Sequence, residues 1–223
     1  MSYLQYIETT VFGPEDYSSN ITDLEVHWVN GTPRIYATTR AGGISVLELG
    51  GTLNSIDRAW IGGSTAGEAP RLIPFEIGGR EVMGYYGQAA SGLLGFEINN
   101  NGQLGGSVTV RNADNQNFAA VEVVEVGGQR LIFTADAEAP GITCWEVDSS
   151  GRLSEVDTLP LGENQTGTDT TALAQVTVGS KTFLIAADRA GNALSTTEVR
   201  SNGTAVAADR LAAPSGTLPI ANP

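Results

Sequence analysis

The sequence predicts an all-β fold, a β-propeller built from four-stranded antiparallel blades, and three repeating observations carry this prediction. Four glutamates recur in strand-like sequence at spacings of 49, 49 and 52 residues: Glu48, Glu97, Glu146 and Glu198. An apolar run precedes each glutamate, and glycine-containing turn signals lie on both sides of it. A repeat near fifty residues, made of strands and tight turns, is typical of a propeller blade.

Each repeat is predicted to begin with a strand that ends in a two-residue turn. The first strands lie at 24–29, 72–77, 121–126 and 173–178, and the turns that follow are Asn30-Gly31, Gly78-Gly79, Gly127-Gly128 and Gly179-Ser180. Glycine and asparagine adopt positive φ at low cost, so these pairs favour tight hairpins.

The rest of each repeat completes a four-stranded meander. The second strands are buried apolar runs at 35–39, 82–86, 131–135 and 183–187, and the repeated glutamates mark the third strands. A second turn signal precedes the fourth strands at 53–61, 104–111, 153–161 and 205–211. We interpret the glutamates as register marks of equivalent blades, because pairing or solvation explains them without catalysis. No segment has capped helical periodicity, so helix is expected to be nearly absent.

The continuous repeat predicts one domain, residues 1–223, with blades at approximately 21–63, 70–114, 118–163 and 171–213. Residues 1–17 align with a fourth strand and are predicted to form an orphan outer strand. Four blades plus one strand fit a fragment of a larger ring, a four-bladed ring with a spare tail, or subunits that share a ring. We favour the truncated or oligomer-completed forms, and therefore expect a homo-oligomer or a larger assembly.

The charge and the apolar content of the sequence limit the classes of binding partner that are expected. The chain has 12 basic and 25 acidic residues, a formal charge of −13, and Lys181 as its one lysine. Nucleic-acid binding is not expected, because it depends on clustered Lys and Arg. No apolar run approaches the roughly 20 residues that a membrane helix needs. A protein or a glycan is the expected partner. The first residues lack the basic start and apolar core of a secretory signal.

Residues for nucleophilic catalysis are scarce. His27 is the only histidine, lies in the middle of a strand, and is interpreted as structural rather than as a general base. No Gly-x-Ser-x-Gly elbow is present, and zinc sites that draw on several histidines are excluded by count. Cys144, the only cysteine, is interpreted as a small buried hydrophobe.

The carboxylates of the sequence are compatible with a calcium site. Asp136 and Glu138 follow one second strand, and Asp188 aligns with Asp136 one blade later. Calcium prefers oxygen ligands, and loops at such strand ends line one face of a propeller, where binding sites usually lie. These three residues are the predicted calcium ligands, with calcium as the one expected cofactor. Capping of turns by the aspartates is the alternative interpretation.

Three segments carry a resemblance to known proteins. Residues 35–49 (IYATTRAGGISVLEL) and 183–195 (FLIAADRAGNALS) resemble the blade motif of lactonase-like, YVTN-type seven-bladed propellers. Residues 6–24 (YIETTVFGPEDYSSNITDL) resemble the start of the N-terminal propeller of alphaproteobacterial hemolysin-type (RTX) calcium-binding proteins. The second resemblance implies calcium binding and export without an N-terminal signal, through a type I system.

Three functions are consistent with these observations. The leading hypothesis is a non-enzymatic binding or scaffolding module of a secreted or particle-associated bacterial or phage-derived protein, such as a fibre or spike. One alternative is a lactonase-like hydrolase with a polar site at the propeller channel, for which Arg40, Gln88 and Arg189, together with the three predicted calcium ligands, are the candidates. The other alternative is a calcium-stabilised structural domain of a hemolysin-type protein. A cytoplasmic location is left open.

Overall fold

A computed structural model describes residues 20–40, 42–49, 52–61, 70–87, 93–110, 117–136, 141–159, 170–189 and 192–212. Sixteen β-strands account for most of these residues, and no helix occurs among them. The strands form four sheets of four strands each, which are the four predicted blades. The predicted orphan strand at 1–17 lies outside the described residues.

Each blade is an antiparallel meander in which consecutive strands are neighbours. The first two blades are β1 (Ile21–Val29), β2 (Thr32–Thr39), β3 (Gly43–Leu49) and β4 (Leu53–Trp60), then β5 (Arg71–Ile77), β6 (Arg80–Tyr86), β7 (Leu93–Ile98) and β8 (Leu104–Val110). The third blade is β9 (Phe118–Val126), β10 (Gln129–Asp136), β11 (Ile142–Val147) and β12 (Leu153–Leu159). The fourth blade is β13 (Thr170–Val178), β14 (Lys181–Asp188), β15 (Ala193–Val199) and β16 (Ala205–Ala212).

The hairpin between the first two strands of each blade has the predicted turn chemistry. Asn30 and Gly31 have φ of 49° and 77°, which are the two consecutive left-handed residues of a type I′ turn. The corresponding residues Gly78, Gly127 and Gly179 also have positive φ. Both turn residues have positive φ in the first three blades, whereas in the fourth blade only Gly179 of the pair does. The two-residue length of the turn gives every blade the same register.

A β-bulge recurs in the fourth strand of every blade, a feature that the sequence patterns did not predict. The pairing shifts by one residue between Val46 and Leu47 of β3 and at the corresponding place in the third and fourth blades; in the second blade the shift falls one residue later, between Phe96 and Ile98. Beyond the shift, Val46 pairs with Asp57, Cys144 with Asp157 and Thr196 with Asp209. A bulge increases the local twist of a sheet edge, so all four outer edges are twisted near the middle of the third strand.

The blades are arranged as a propeller, with the first strands innermost. β1 packs against β5, β5 against β9, and β9 against β13. Each junction between blades encloses one apolar cluster, and between the first two blades Tyr36, Ile44 and Val46 pack with Leu72 and Met83. The other two clusters lie between the second and third blades and between the third and fourth. The core is therefore three separate layers between sheets.

The four repeated glutamates occupy equivalent places in the third strands β3, β7, β11 and β15. Three of them pair with a basic side chain on the neighbouring second strand: Arg34–Glu48 at 3.2 Å, Lys181–Glu198 at 2.7 Å, and Arg80–Glu97. These contacts are within single blades and partly exposed to solvent. The interpretation of the glutamates as register marks agrees with this pairing.

His27 and Cys144 both have structural surroundings. His27 Nε2 lies 3.0 Å from Glu81 Oε2 of the second blade, so the histidine joins two blades. Cys144 is buried in the cluster between the third and fourth blades, and burial raises the pKa of its thiol to about 12. The prediction of a small buried hydrophobe at this position is confirmed. None of the described segments forms a helix with the length and apolar character that a membrane crossing requires.

Candidate functional site

A cavity of about 360 Å³ lies at the centre of the array, between the first strands of all four blades. The strand order places it toward the end of the array where the first strands begin and the second strands end. Six residues supply its chemistry: Asp23 and Glu25 from β1, Arg71 from β5, Tyr86 from β6, Glu122 from β9 and Leu173 from β13. The cavity depends on the propeller arrangement, because no single blade contains it.

Two of the three carboxylates are held by the backbone of the following blade. Asp23 Oδ2 accepts a hydrogen bond from the Leu72 backbone N–H at 2.8 Å. Glu122 Oε1 accepts one from the Gln175 backbone N–H at 3.1 Å. A carboxylate that accepts from a backbone N–H has a fixed orientation and a stronger hydrogen bond than a neutral group would make. These contacts position the acidic side of the cavity and also join the blades.

Burial shifts the protonation of two of these groups. It raises the pKa of Glu25, the negative charges of Asp23 and Glu122 raise it further, and His27 opposes the shift. Burial also raises the pKa of Glu122, against the opposing hydrogen bond from Gln175. Both carboxyls therefore hold their protons more strongly than an exposed glutamate. Pairs of shifted carboxyls in one concave site are characteristic of binding and catalytic centres.

Arg71 and Tyr86 form the donor-rich part of the cavity wall, close enough to Asp23 for its charge to act on Tyr86. The Tyr86 hydroxyl is hydrogen-bonded to the Arg71 side chain and to the Val121 backbone. Burial raises the pKa of Tyr86, so the phenol remains neutral at neutral pH. A guanidinium supplies several donors and no acceptor, and a phenol supplies one of each. This side can bind the acceptor oxygens of a ligand whose hydroxyl groups donate to the carboxylates.

The remaining wall of the cavity is mostly apolar and comes from the middle of the first strands: Leu72, Ile73, Pro74, Val121, Val123 and Leu173. A few convergent polar groups on an otherwise apolar concave surface are the usual composition of a small-molecule site. The volume is at the lower end of the roughly 300–1,000 Å³ that such sites occupy. The arrangement thus suits a small ligand that has many hydroxyl groups and one apolar face.

The predicted channel residues Arg40 and Arg189 lie in equivalent turns after β2 and β14, and both are exposed. The Arg40 backbone N–H donates to the Asn20 carbonyl oxygen at 3.0 Å. The predicted residue Gln88 lies outside the described residues. The two arginines occur at the same end of the array as the cavity, and neither is among the residues that line it. Their role as ligand contacts stays a prediction.

The predicted calcium ligands Asp136 and Asp188 end β10 and β14 at the same register position, one blade apart. Asp188 is 3% exposed, whereas Asp136 is half-buried. Glu138 lies outside the described residues. Within the part of the chain that the structure describes, no group of three or more His, Cys, Asp or Glu side chains could hold a metal ion. The calcium site stays a prediction.

The sequence patterns did not single out Glu25 and Glu122. They occupy the same register position of the first strand, since Glu25 pairs with Tyr36 and Glu122 with Phe133. The corresponding residues in the second and fourth blades are Ile73 and Ala174. A charged residue at an innermost strand position that is apolar in the other blades could therefore have been recognised in the sequence as a candidate site residue.

Comparison with known proteins places the chain by fold. No family model matches the sequence, and no curated protein does. A provisionally assigned 6-phosphogluconolactonase from Bacteroides uniformis superposes with a TM-score of 0.60 at 16% identity, over 91% of this chain and 59% of its own. The periplasmic gluconolactonase of Pseudomonas aeruginosa gives 0.62 at 12% identity, over 88% and 59%. The SapL1 lectin, solved with alpha methyl fucoside, gives 0.56 at 13% identity, over 88% and 65%.

This chain therefore spans less than two thirds of the length of these three structures. At such identities a structural likeness carries the fold and leaves the activity to be argued from the site. The chain is similar to parts of propellers that include lactonases and a lectin.

Proposed function

We propose that this protein is a binding propeller that takes a small polyhydroxylated ligand, of monosaccharide size, in its central cavity. The observation that carries the proposal is the convergence of Glu25, Glu122, Arg71 and Tyr86 on one cavity with an apolar wall. These neighbours support a sugar-like ligand, because one is a gluconolactonase and the other is a lectin solved with alpha methyl fucoside.

The chemistry of the two sides of the cavity fits a sugar. Ligand hydroxyls donate to the carboxylates of Glu25 and Glu122, and ring or carbonyl oxygens accept from Arg71. The C–H face of the ring packs on Ile73 and Pro74, which line the same cavity. The volume of about 360 Å³ selects a single sugar unit over a longer chain.

Calorimetric titration with methyl α-fucoside, galactose, gluconate and glucono-δ-lactone tests this proposal. We expect at least one of these probes to bind, and Glu122→Gln and Arg71→Met each to weaken that binding by about tenfold or more, as loss of a charged hydrogen bond does. Glu146→Gln and Arg152→Met are the charge-matched controls, because both residues are exposed and neither lines the cavity. Equal affinity in cavity and control variants, or no binding of any probe, contradicts the proposal.

Hydrolysis of a sugar lactone is the second candidate, favoured by the raised pKa of both Glu25 and Glu122. One glutamate takes a proton from water as the water oxygen attacks the lactone carbonyl carbon. Arg71 donates to the carbonyl oxygen as its charge develops. The ring C–O bond then breaks, and the second glutamate protonates the departing oxygen to give the open hydroxy acid.

Acid release from glucono-δ-lactone, measured above its spontaneous rate, tests this second candidate. We expect Glu122→Gln to lower the rate by about 10²–10⁴, which is the usual contribution of a general acid or base. A probe that binds without turnover removes the hydrolase candidate and leaves the binding proposal intact.

Calcium and location complete the proposal. We propose that Asp136 and Asp188, together with Glu138, bind calcium and stabilise one face of the propeller. Added Ca²⁺ then raises the melting temperature and EDTA reverses the increase, because an ion that binds only the folded state stabilises it. If the melting temperature responds to neither addition, the calcium role is contradicted.

An acidic, calcium-stabilised binding module fits a secreted or particle-associated protein, and detection in the culture medium rather than in cells would support that location.

A further inference from the structure

Each blade has two faces, because successive side chains of a strand point to opposite sides of a sheet. We call the side turned to the next blade the following face and the side turned to the previous blade the leading face. The following face of the first blade carries Tyr36 and Ile44, which pack on Leu72, Met83 and Tyr85 of the leading face of the second blade. Every internal junction joins a following face to a leading face.

The leading face of the first blade is apolar and exposed. Its residues Leu24, Val26 and Trp28 are exposed by 57%, 54% and 63%. The residue of the second blade at the register position of Leu24 is Leu72, which is only 6% exposed. The same position therefore belongs to the core wherever a following face covers it.

The following face of the fourth blade is exposed in the same way. Leu194, Ile44 and Ile142 are equivalent residues of three third strands. Their pairing partners Ala187, Thr38 and Ala135 occupy the same position in the second strands. Ile44 and Ile142 are 0% and 1% exposed, whereas Leu194 is 45% exposed. Val178, which is equivalent to the buried Ile77, is 62% exposed.

These two end faces match the two sides of the junction between the third and fourth blades. In that junction Val124, Leu131, Phe133 and Ile142 pack on Leu173, Leu184, Ala186 and Val199. The following face of the fourth blade has Val176, Phe183, Ile185 and Leu194 at the positions of the first set. The leading face of the first blade has Leu24, Ile35, Ala37 and Leu49 at the positions of the second. Of these four, Leu24 and Leu49 are exposed, Ile35 is half-buried and Ala37 is buried. The two end faces therefore have apolar residues at the same positions as the two sides of that junction.

We propose that a second copy of this chain docks head to tail, with the following face of its fourth blade on the leading face of the first blade. Two such contacts close a ring of two chains and eight blades, which lies within the usual propeller range of about 4–8 blades. The contact is heterologous, so each copy uses one face of each kind.

A repeated hydrogen bond supports this geometry. Asp57 Oδ2 accepts from the backbone N–H of Leu104, which begins the fourth strand of the next blade, at 2.7 Å. Asp157 Oδ2 accepts from the N–H of Ala205, at the same place in the junction between the third and fourth blades, at 3.1 Å; the second blade has Val108 at this position. Asp209 occupies the register position of Asp57 and Asp157, and Leu53 begins the fourth strand of the first blade. In a head-to-tail contact the register therefore places residue 209 of one copy opposite the backbone N–H of Leu53 of the other.

Charge favours a copy of the same chain over a basic partner. The chain carries −13, so two copies repel unless the contact surfaces are close to neutral. Lys181 and Glu198 of the following face neutralise each other at 2.7 Å, and the other matched residues of both end faces are apolar. The matched positions of the two end faces therefore add no unpaired negative charge to the proposed contact.

The test is the solution mass of the chain and of variants altered at one end only. At about 100 μM we expect twice the chain mass of 23.2 kDa for the unaltered protein. Val26→Lys on the leading face and Leu194→Lys on the following face are each expected to give monomers. Both residues are exposed, so neither change should prevent folding, and circular dichroism checks this. Ser154→Lys, at an exposed position in the outer strand of the third blade, is the control and should remain a dimer.

Mixing distinguishes head-to-tail docking from other contacts. An equal mixture of Val26→Lys and Leu194→Lys restores a dimer held by one intact contact, because the unaltered leading face of Leu194→Lys meets the unaltered following face of Val26→Lys. The second contact of the ring then carries both lysines and stays open. A dimer that persists in either single-end variant joins identical faces and overturns the proposal. A monomeric unaltered chain at about 100 μM overturns it as well and assigns the end faces to another occupant, such as further blades or a different protein.

Discussion

The two faces of the first blade share one backbone and have opposite surroundings. On the following face Tyr36, Ile44 and Val46 are fully buried against the second blade. On the leading face Leu24 and Trp28, which are equally apolar, are mostly exposed. Strand alternation supplies two apolar faces, and only the presence of a neighbouring sheet makes one of them core. Stability in this protein is therefore a property of junctions between blades rather than of blades.

The largest effect is expected from truncating an aromatic side chain inside a junction. Phe133→Ala removes a fully buried ring from the cluster between the third and fourth blades and should cost about 3–5 kcal/mol. Trp28→Ala is the matched variant on the exposed leading face and should change the stability of the dilute monomer by no more than about 0.5 kcal/mol. Urea unfolding at low protein concentration measures both changes. Similar losses for the two variants would mean that the faces do not differ energetically.

A smaller effect is expected from one polar contact within a junction. Tyr36 Oη donates to the Gly102 carbonyl oxygen at 2.7 Å in a buried setting. Tyr36→Phe leaves that carbonyl without its donor and should cost about 1–2 kcal/mol. Tyr85→Phe is the control, because the Tyr85 ring stacks on Phe96 with a centroid distance of 6.4 Å and that stacking survives the change. If both variants unfold at the same urea concentration, the hydrogen bond contributes nothing to the junction.

The smallest expected effect depends on pH and concerns the central cavity. Because burial raises the pKa of Glu122 in the folded protein, this group contributes stability below its unfolded pKa of about 4.3 and loses it as pH rises through the folded value. Glu122→Gln should therefore raise the melting temperature at pH 7 and leave it nearly unchanged at pH 3. Thermal melts at the two pH values measure the difference.

Glu146→Gln is the control for that experiment, because Glu146 is exposed on the third blade. A Glu122→Gln variant that is less stable than the unaltered chain at pH 7 would show that the hydrogen bond with Gln175 outweighs the cost of burial. A stabilised variant that also loses ligand affinity would identify the cavity as a site where binding is maintained at the expense of stability.

The fold was predictable because its signals are local. The turn pairs at Asn30-Gly31 and Gly78-Gly79 have the positive φ that their residue types favour, and the apolar runs before the repeated glutamates are strands. The bulge near Asp57 was not predicted, because it depends on how the outer strand twists against its neighbour. The central cavity was missed for a related reason, since Glu25 and Glu122 come from different blades.

The sequence by itself determined four equivalent meanders, since a repeat of hairpin turns and apolar runs leaves each segment one strand register. Only the tertiary structure decided which apolar face is core, because the burial of Leu72 and the exposure of its equivalent Leu24 depend on whether another sheet lies against them. It also decided where the functional chemistry lies. Carboxylates about a hundred residues apart in the chain acquire shifted protonation only when the first strands meet at the propeller centre and exclude water from them.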